Sequence, residues 1–514
     1  MRARCLLVAA VAVLLFLPTV RYGFVQDDRA IIALNPAVQS IPAALLAFDD
    51  PYWPFPSQAG LYRPLTILSF AVDWQLSGGA PGWFHIVNAL LHVVAAVLVV
   101  LVLARWLPPT AAAIAGLVFA VHPVHVEGVA GLVGRAEILV AIWVLATVLL
   151  ARRGAWAAAV LCAMLAMLSK EHGVITGVVV LLDNWLQSPG VRRWYPKWFY
   201  GALAVATVAY LAVWAHIGIG GAADDAAPFI GAGTVERLAV ALPILVHAGR
   251  LLVWPVELSA DYSPQVIPIH SGLTLAAVAG ALLMAGVVWL IPAARRRAPA
   301  LSFAAGVAAL AYLPTSNLLM ASAVMLAERT LYLPVLLVAA GVGAAAAWAL
   351  ARRPEAQPRR VWLWAGMLGA VLFARSFARL PVWRSNKEFL LTTLREHPES
   401  YRAHIWAASV LAGIGDTAEA RREYARADSL FSGDPALAGA RALFLAALGD
   451  TSDVARLVER ARRLRPGEPR AMRARMLLLV ERADRVGASA FADSVRRRFP
   501  WEAEWYIAQL QRLD

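Results

Sequence analysis

The chain has 514 residues, 60% hydrophobic and only 16% charged, with a mean hydropathy of +0.62. That composition excludes a soluble globular protein, which could not hide so much apolar surface, and points to an integral membrane protein. The net charge of +13 does not mark a nucleic-acid binder. The basic residues of the apolar region sit in short clusters between apolar runs, as the positive-inside rule expects of cytoplasmic loops. These clusters are Arg2 and Arg4; Arg152 and Arg153; Arg192, Arg193 and Lys197; Arg295 to Arg297; and Arg352, Arg353, Arg359 and Arg360.

The first twenty residues, MRARCLLVAAVAVLLFLPTV, have a basic tip and an apolar run but no clear small-residue cleavage site. They read as a retained first transmembrane helix. Cys5 and Cys162, the only cysteines, lie in apolar runs, so no disulfide framework or thiolate metal site is expected. Starting inside, crossings are expected near 5–20, 86–104, 109–123, 138–151, 155–168, 174–187 and 198–216, then 272–292, 299–315, 331–350 and 361–380. Segment 237–254 breaks the alternation, because a full crossing there would put Arg295 to Arg297 outside. It is read as re-entrant or surface-lying, which leaves about eleven crossings. A large first outer loop spans about 21–85, and Arg375 and Arg379 snorkel from the last span.

With this topology the acidic residues gather on the non-cytoplasmic side: Asp27, Asp28, Glu127, Glu137, Glu171, Asp224, Asp225, Glu257, Asp261 and Glu328. Asp183 and Glu355 are the exceptions. Asp27 and Asp28, in GFVQDD, are placed to act as a general base or to hold a divalent cation, or else simply cap a loop helix in water. In HPVHVEGVAGLVGRAEIL, His122, His125 and Glu127 either line a metal site or form a hydrogen-bonded polar floor. Their H-x-x-H-x-E spacing matches no recognised ligand set. Arg135 and Glu137 either pair with each other or face a cavity. In LSKEHGVI and MLAERTLYLP, Lys170 and Arg329 are lone cations on the outer side, suited to a phosphate. The alternative is internal pairing, Lys170 with Glu171 and Arg329 with Glu328.

Beyond about residue 386 the apolar runs stop and the chain becomes Ala/Arg-rich. GDTAEA and GDTSDV begin at Gly415 and Gly449, 34 residues apart, and Pro398, Pro435, Pro469 and Pro500 are spaced by 37, 34 and 31. That period, with helix–turn–helix content, predicts about three tetratricopeptide-like repeats in a short solenoid. Ala407, Ala420 and Ala427 supply small residues for close helix approach. The expected organisation is a transmembrane bundle over 1–385 and a soluble repeat domain over 386–514. An odd number of crossings sets both the tail and Asp27 on the outer side.

The words FVQDD, LYRPLTILSF, FHIVNALLH, HPVHVEGVAGLVGRAEIL, SKEHGV, LPTSNLL and AERTLYLP, in this order and followed by 34-residue repeats, resemble the TMTC family. These are transmembrane and tetratricopeptide-repeat O-mannosyltransferases of the GT-C glycosyltransferase class. The resemblance runs from about residue 20 to about 335, and the GC-rich style of composition suggests a bacterial member. It implies an all-α, GT-C-type bundle that moves mannose from a polyprenyl-phosphate donor to Ser/Thr hydroxyls of exported proteins, with inversion. Asp27 and Asp28 match the family's acidic catalytic pair. Arg135, Lys170, Arg329 and Arg63 then become candidates for the donor phosphate. His122, His125, Glu127, Glu137, Glu171 and Glu328 become candidates for the sugar or acceptor site. No cofactor is firmly implied. A Mg or Mn ion on Asp27 and Asp28 is compatible with the class, and the lipid-linked sugar is a substrate. The expected partners are that lipid, a polypeptide acceptor held by the repeats, and membrane lipid, without nucleic acid. The expected location is a bacterial cytoplasmic membrane, with site and repeats facing outward. The rival readings are a GT-C transferase with another sugar and a glycan or lipid acceptor, a membrane-anchored repeat scaffold without activity, or a transporter.

Overall fold

The computed structural model describes residues 1–54, 61–187, 194–218, 226–269, 272, 274–352, 358–498 and 503–513. Arg192, Arg193, Asp224, Asp225, Arg353, Glu355 and Pro500 lie outside the described residues. Among those described the fold is all-α, and the one β contact is an isolated bridge between Pro264 and Ile267.

Every apolar run predicted to cross is helical. Among the described residues seven helices are long and apolar enough to cross a membrane, including Arg2–Arg21, Pro81–Leu103, Leu132–Arg152 and Leu275–Ala294. Four more predicted spans are shorter: Pro109–Val121, Trp156–Ser169, Thr176–Trp185 and Pro299–Tyr312, of 13, 14, 10 and 14 residues. At about 1.5 Å per residue none of these reaches across a ~30 Å hydrocarbon core. Pro109–Val121 and Pro299–Tyr312 are largely interior, whereas Trp156–Ser169 and Thr176–Trp185 each keep an exposed apolar face, with Leu161 and Val178 on it. Irregular backbone at depth is permitted where protein, not lipid, surrounds it. Several helices open on proline, as at Pro64, Pro81, Pro109 and Pro299, where the missing N–H removes nothing the helix needs.

Hydrogen bonds sort the helix ends into two sets. At one end Arg4 donates to Thr110 Oγ1 (3.1 Å), Arg152 to the Val102 carbonyl (2.8 Å), and Arg295 to the Trp185 carbonyl (3.0 Å). Asp183, the acid out of place in the charge pattern, is held there by Arg152 at 2.6 Å. At the other end Thr66 Oγ1 donates to the Ser169 carbonyl (2.8 Å), Tyr210 to the Tyr62 carbonyl (3.3 Å), and Ser376 to the Val121 carbonyl (2.7 Å). We call this the loop end. Helix Thr234–Val253 carries Glu236, Arg237 and Arg250 and is not among the seven. The segment leading into it and its last turn both meet the loop end: Ala226 N donates to the Ser322 carbonyl (2.8 Å), and His122 bonds the Leu252 carbonyl (3.0 Å).

After residue 385 three helix pairs follow, Tyr401–Gly413 with Thr417–Leu430, Pro435–Ala447 with Val454–Leu464, and Pro469–Glu481 with Arg485–Arg498. The first helix of each pair starts at 401, 435 and 469, which is the 34-residue period of the sequence. The GDT motif has a direct cause. Gly415 and Gly449 take φ of +87° and +72°, which favours glycine, and Asp416 then caps the next helix by accepting from Glu419 N (3.1 Å). Ala407, Ala420 and Ala427 are buried in the pair. The tail docks on the loop end: Gly23 N donates to the Arg384 carbonyl (3.1 Å) and Gln26 N to Asn386 Oδ1 (2.7 Å). The tail and Asp27 therefore share one side of the bundle.

Candidate active site

At the loop end a cavity of about 110 Å³ is lined by Asp27, Asp28, Glu127 and Arg329, with Asp261 and Arg402 on its far wall. Gln26 shapes its acidic edge. Its φ of +51° is a left-handed conformation that side chains disfavour, held here by the bond to Asn386. The kink gives the two aspartates different surroundings. Asp28 is fully buried, and its carboxylate accepts from Val25 N (3.1 Å) and Val133 N (3.0 Å). Burial pushes its pKa up to about 7 against the pull of those two amides, and the neighbouring Asp27 adds to the rise. Asp27 is half-buried at the cavity wall and makes no hydrogen bond or ion pair among the described residues. A partly protonated Asp28 also relieves the repulsion expected of adjacent carboxylates.

The turn that delivers Val133 depends on close packing. A Cβ at Gly134 would collide with the backbone of Gly128, so glycine is required for the 128–134 segment to fold back on itself. The same segment presents Glu127, which accepts from the backbone N of Arg329 (2.9 Å) and from its guanidinium. Arg329 stays charged although burial opposes it, because Glu127 and Asp27 more than offset that cost. Of the four predicted phosphate-binding cations, Arg329 is the one that lines the cavity. Its Nη1 is taken by Glu127, while Nε and Nη2 have no partner among the described residues.

The other predicted residues form a second, more enclosed cluster. Arg63 grips Glu171 through Nε (3.0 Å) and Nη2 (2.9 Å) and lies 4.7 Å from the centre of the Tyr52 ring. Lys170 pairs with Glu137, whose other oxygen is 3.4 Å from His172. Burial resists the charge on Glu171, but Arg63 overcomes it and holds the carboxyl below the usual range. The ion pairs between sequence neighbours, the alternative to phosphate binding, do not form. Lys170 takes Glu137 rather than Glu171, and Arg329 takes Glu127 rather than Glu328. Side chains one residue apart on a helical turn point in different directions, so tertiary partners win.

Arg135 does not join either cluster. It is fully buried, ion-paired to Asp73 (2.5 Å), and bonded to Asn88 Oδ1 (2.7 Å) and to the carbonyls of Ser69 and Phe84 (both 3.2 Å). A guanidinium so fully engaged braces the first outer loop against the bundle and has nothing left for a phosphate. The two histidines also point into the core, His122 to the Leu252 carbonyl and His125 to the Tyr332 carbonyl (3.1 Å). Neither lines the cavity nor bonds Glu127, so their expected place in the sugar or acceptor site is corrected: both are held in the core by backbone carbonyls. Glu328 is buried behind the cavity wall, accepting from Ser259 N and the Tyr262 hydroxyl (both 2.8 Å). Burial raises it to about 7, against the pull of Arg379. Among the described residues no group of three or more His, Cys, Asp and Glu side chains is disposed to hold a metal ion.

Sequence reasoning missed Asp73 as the partner of Arg135, and Arg402 and Trp406 as walls of the cavity; it put Asp261 on the right side but gave it no role. Asp73 had a visible signal, since it is the lone charge of the helix Pro64–Ser77. Arg402 and Trp406 had none, because only folding brings the tail to the cavity.

The raised carboxyls have a consequence for stability. Asp28 and Glu328 hold protons in the fold between about pH 4 and 7, where the unfolded chain, with ordinary values of 3.8 and 4.5, has lost them. Their contribution to stability is therefore full below about pH 4 and lost as pH rises toward 7. Thermal unfolding in detergent across pH 4–8 is expected to show this decline, and Asp28→Asn to flatten it. A slope unchanged in that variant would contradict the assignment.

The chain is 28% identical to human protein O-mannosyl-transferase TMTC4 over 82% of its length and 65% of the relative's. It is 27% identical to the Caenorhabditis elegans protein O-mannosyl-transferase F38B6.6 over 82% of its own length and 61% of the relative's. It is 41% identical to the Drosophila melanogaster protein O-mannosyl-transferase Tmtc2 over a shorter stretch, 28% of this chain and 16% of that one. The chain thus spans less than two thirds of the length of these curated relatives. No family model matches it, and no solved structure does.

Proposed function

We propose that the protein is a membrane glycosyltransferase of the GT-C kind, moving mannose from a polyprenyl-phosphate donor to Ser/Thr hydroxyls of exported polypeptides. The observation that carries this reading is the pairing of an unengaged carboxylate, Asp27, with a partly free guanidinium, Arg329, across one small cavity. The names of the relatives supply the reaction class.

In this reading Asp27 accepts the proton of the acceptor hydroxyl as its oxygen bonds to C1 of the sugar. The bond from C1 to the phosphate oxygen breaks, through an oxocarbenium-like state of the kind glycoside hydrolysis uses. The electron pair leaves with the lipid phosphate, whose growing charge meets Arg329, with Lys170 and Arg63 behind it. An activated phosphate leaves without a general acid, so one carboxylate suffices. Asp28 fixes the loop and keeps Asp27 aimed at the cavity. Glu127 orients Arg329. If the reaction takes a divalent cation, Asp27 is its ligand from the pair, since Asp28 gives its carboxylate to backbone amides. In this reading the cavity, at the loop end of the bundle, takes the headgroup of a lipid lying in the membrane. On the same reading the three helix pairs act as tetratricopeptide-like repeats, and site and repeats face outward from a bacterial cytoplasmic membrane, an orientation the charge pattern supports.

The test is purified protein in detergent with polyprenyl-phosphate-mannose and a Ser/Thr-rich peptide. A hexose added to the peptide is the expected product. An untouched peptide beside a donor that transfers to a glycan or lipid alcohol would replace the acceptor assignment.

A further inference from the structure

We propose that the acceptor polypeptide binds extended in a groove between the bundle and the first repeats, pairing its main chain with that of Leu326 and setting an acidic side chain against Arg402 and Arg470. This rests on the transferase reading and says where its acceptor is held.

A second cavity, of about 250 Å³, lies between the loops at 226–230, 261–264 and 323–326 and the repeat helices. It shares Asp261, Tyr262, Val324, Leu326, Arg402 and Trp406 with the Asp27 cavity, so the two are halves of one groove. Along its wall the chain is not helical, and Ala327 is extended, with φ −143° and ψ 138°. Met325, Leu326 and Ala327 are only 3, 5 and 6% exposed. Yet their backbone N–H groups donate to no acceptor among the described residues, and the Leu326 carbonyl accepts from none. Buried amides are almost always paired. In extended chain the N–H and carbonyl of one residue face the same side, so a peptide laid alongside would pair both groups of Leu326, as strands add to an open edge. A glycan has no regular row of amides to offer.

The charge of the groove is set by which groups are already engaged. Asp434 accepts from the Tyr401 hydroxyl and from Ala436 N, both at 2.7 Å. Asp261 Oδ2 takes the hydroxyls of Ser263 and Ser400, and its Oδ1 stands 3.7 Å from Arg402. Arg470 pairs with no carboxylate among the described residues. Asp434 is thus turned to structural donors and Asp261 offsets part of the charge of Arg402, while Arg470 and Arg402, over the Trp406 ring at 5.6 Å, line the groove. An acidic residue beside the hydroxyl of the acceptor meets them.

Three fluorescent peptides of equal length, each with one threonine, separate these terms when titrated against the full chain without donor. One carries acidic flanks, one lysine flanks, and one acidic flanks with alternate amides N-methylated. The acidic peptide is expected to bind about fivefold tighter than the lysine peptide, the scale of an exposed ion pair or two. Arg470→Glu is expected to reverse that order, and N-methylation to weaken binding by about tenfold or more through lost main-chain pairing. Arg426→Glu, at an exposed arginine lining neither cavity, serves as the control and leaves binding as it was. In the transfer assay the same ranking appears in KM. Equal binding of the three peptides, or no response to Arg470→Glu, overturns the proposal. If the peptides rank as expected but no sugar moves, the groove stands and the transferase reading fails. If sugar moves with one KM for all three, the groove assignment alone fails.

Discussion

Asp27→Asn is expected to lower turnover by on the order of 10² or more, the usual worth of a positioned general base. The variant should keep its fold, because Asp27 holds up nothing: it makes no hydrogen bond or ion pair among the described residues. An amide in its place keeps the shape and removes the proton acceptor. The comparison with Asp28→Asn makes the test sharp. Asp28 accepts two backbone amides in a fully buried position, and an Asn there turns an amide donor toward one of them. Its loss should therefore appear in the unfolding temperature as well as in rate. Steady-state turnover read beside thermal unfolding distinguishes the two. Unchanged turnover in Asp27→Asn would remove it from the chemistry.

The second large effect belongs to Arg329. Removing a charge-stabilising group at a developing anion typically costs about 10²–10³ in turnover, and Arg329→Ala is expected to fall in that range. Alanine also leaves Glu127 without its side-chain partner, which is itself destabilising although the backbone N–H of residue 329 remains to it. Arg329→Lys separates the two. It returns a positive charge to Glu127 and so keeps the fold, but an ammonium cannot hold Glu127 and a phosphate by separate planar edges. The expected result is native-like unfolding with turnover well below wild type. If Arg329→Lys has full activity, the guanidinium matters to Glu127 alone.

How much of this was legible in the sequence depends on whether the signal was local. Apolar runs fall on the helices because lipid leaves a buried backbone few alternatives, and the GDT words fall on turns because glycine and aspartate each meet a specific backbone need there. Segment 237–254 was set apart by charge alone, and its last turn bonds His122 at the loop end. Tertiary information was missing. Arg135 looks in sequence like any outer-side cation, and only Asp73, Asn88 and two carbonyls, distant in the chain, reveal it as a strut. Lys170 and Arg329 each have a carboxylate as next neighbour, and both ignore it. Asp27 and Asp28 are identical as letters. A kink at Gln26 and an amide from Val133, more than a hundred residues on, give one to the cavity and the other to the core.

The most direct measurement is the anomeric configuration of the sugar in the product, read by nuclear magnetic resonance on glycopeptide made by the purified protein. If Asp27 deprotonates the acceptor while the lipid phosphate departs from the opposite face, C1 emerges with the configuration opposite to the donor's. Retention of the donor's configuration would require a sugar held covalently on the enzyme between two displacements, and would contradict a single carboxylate acting as base.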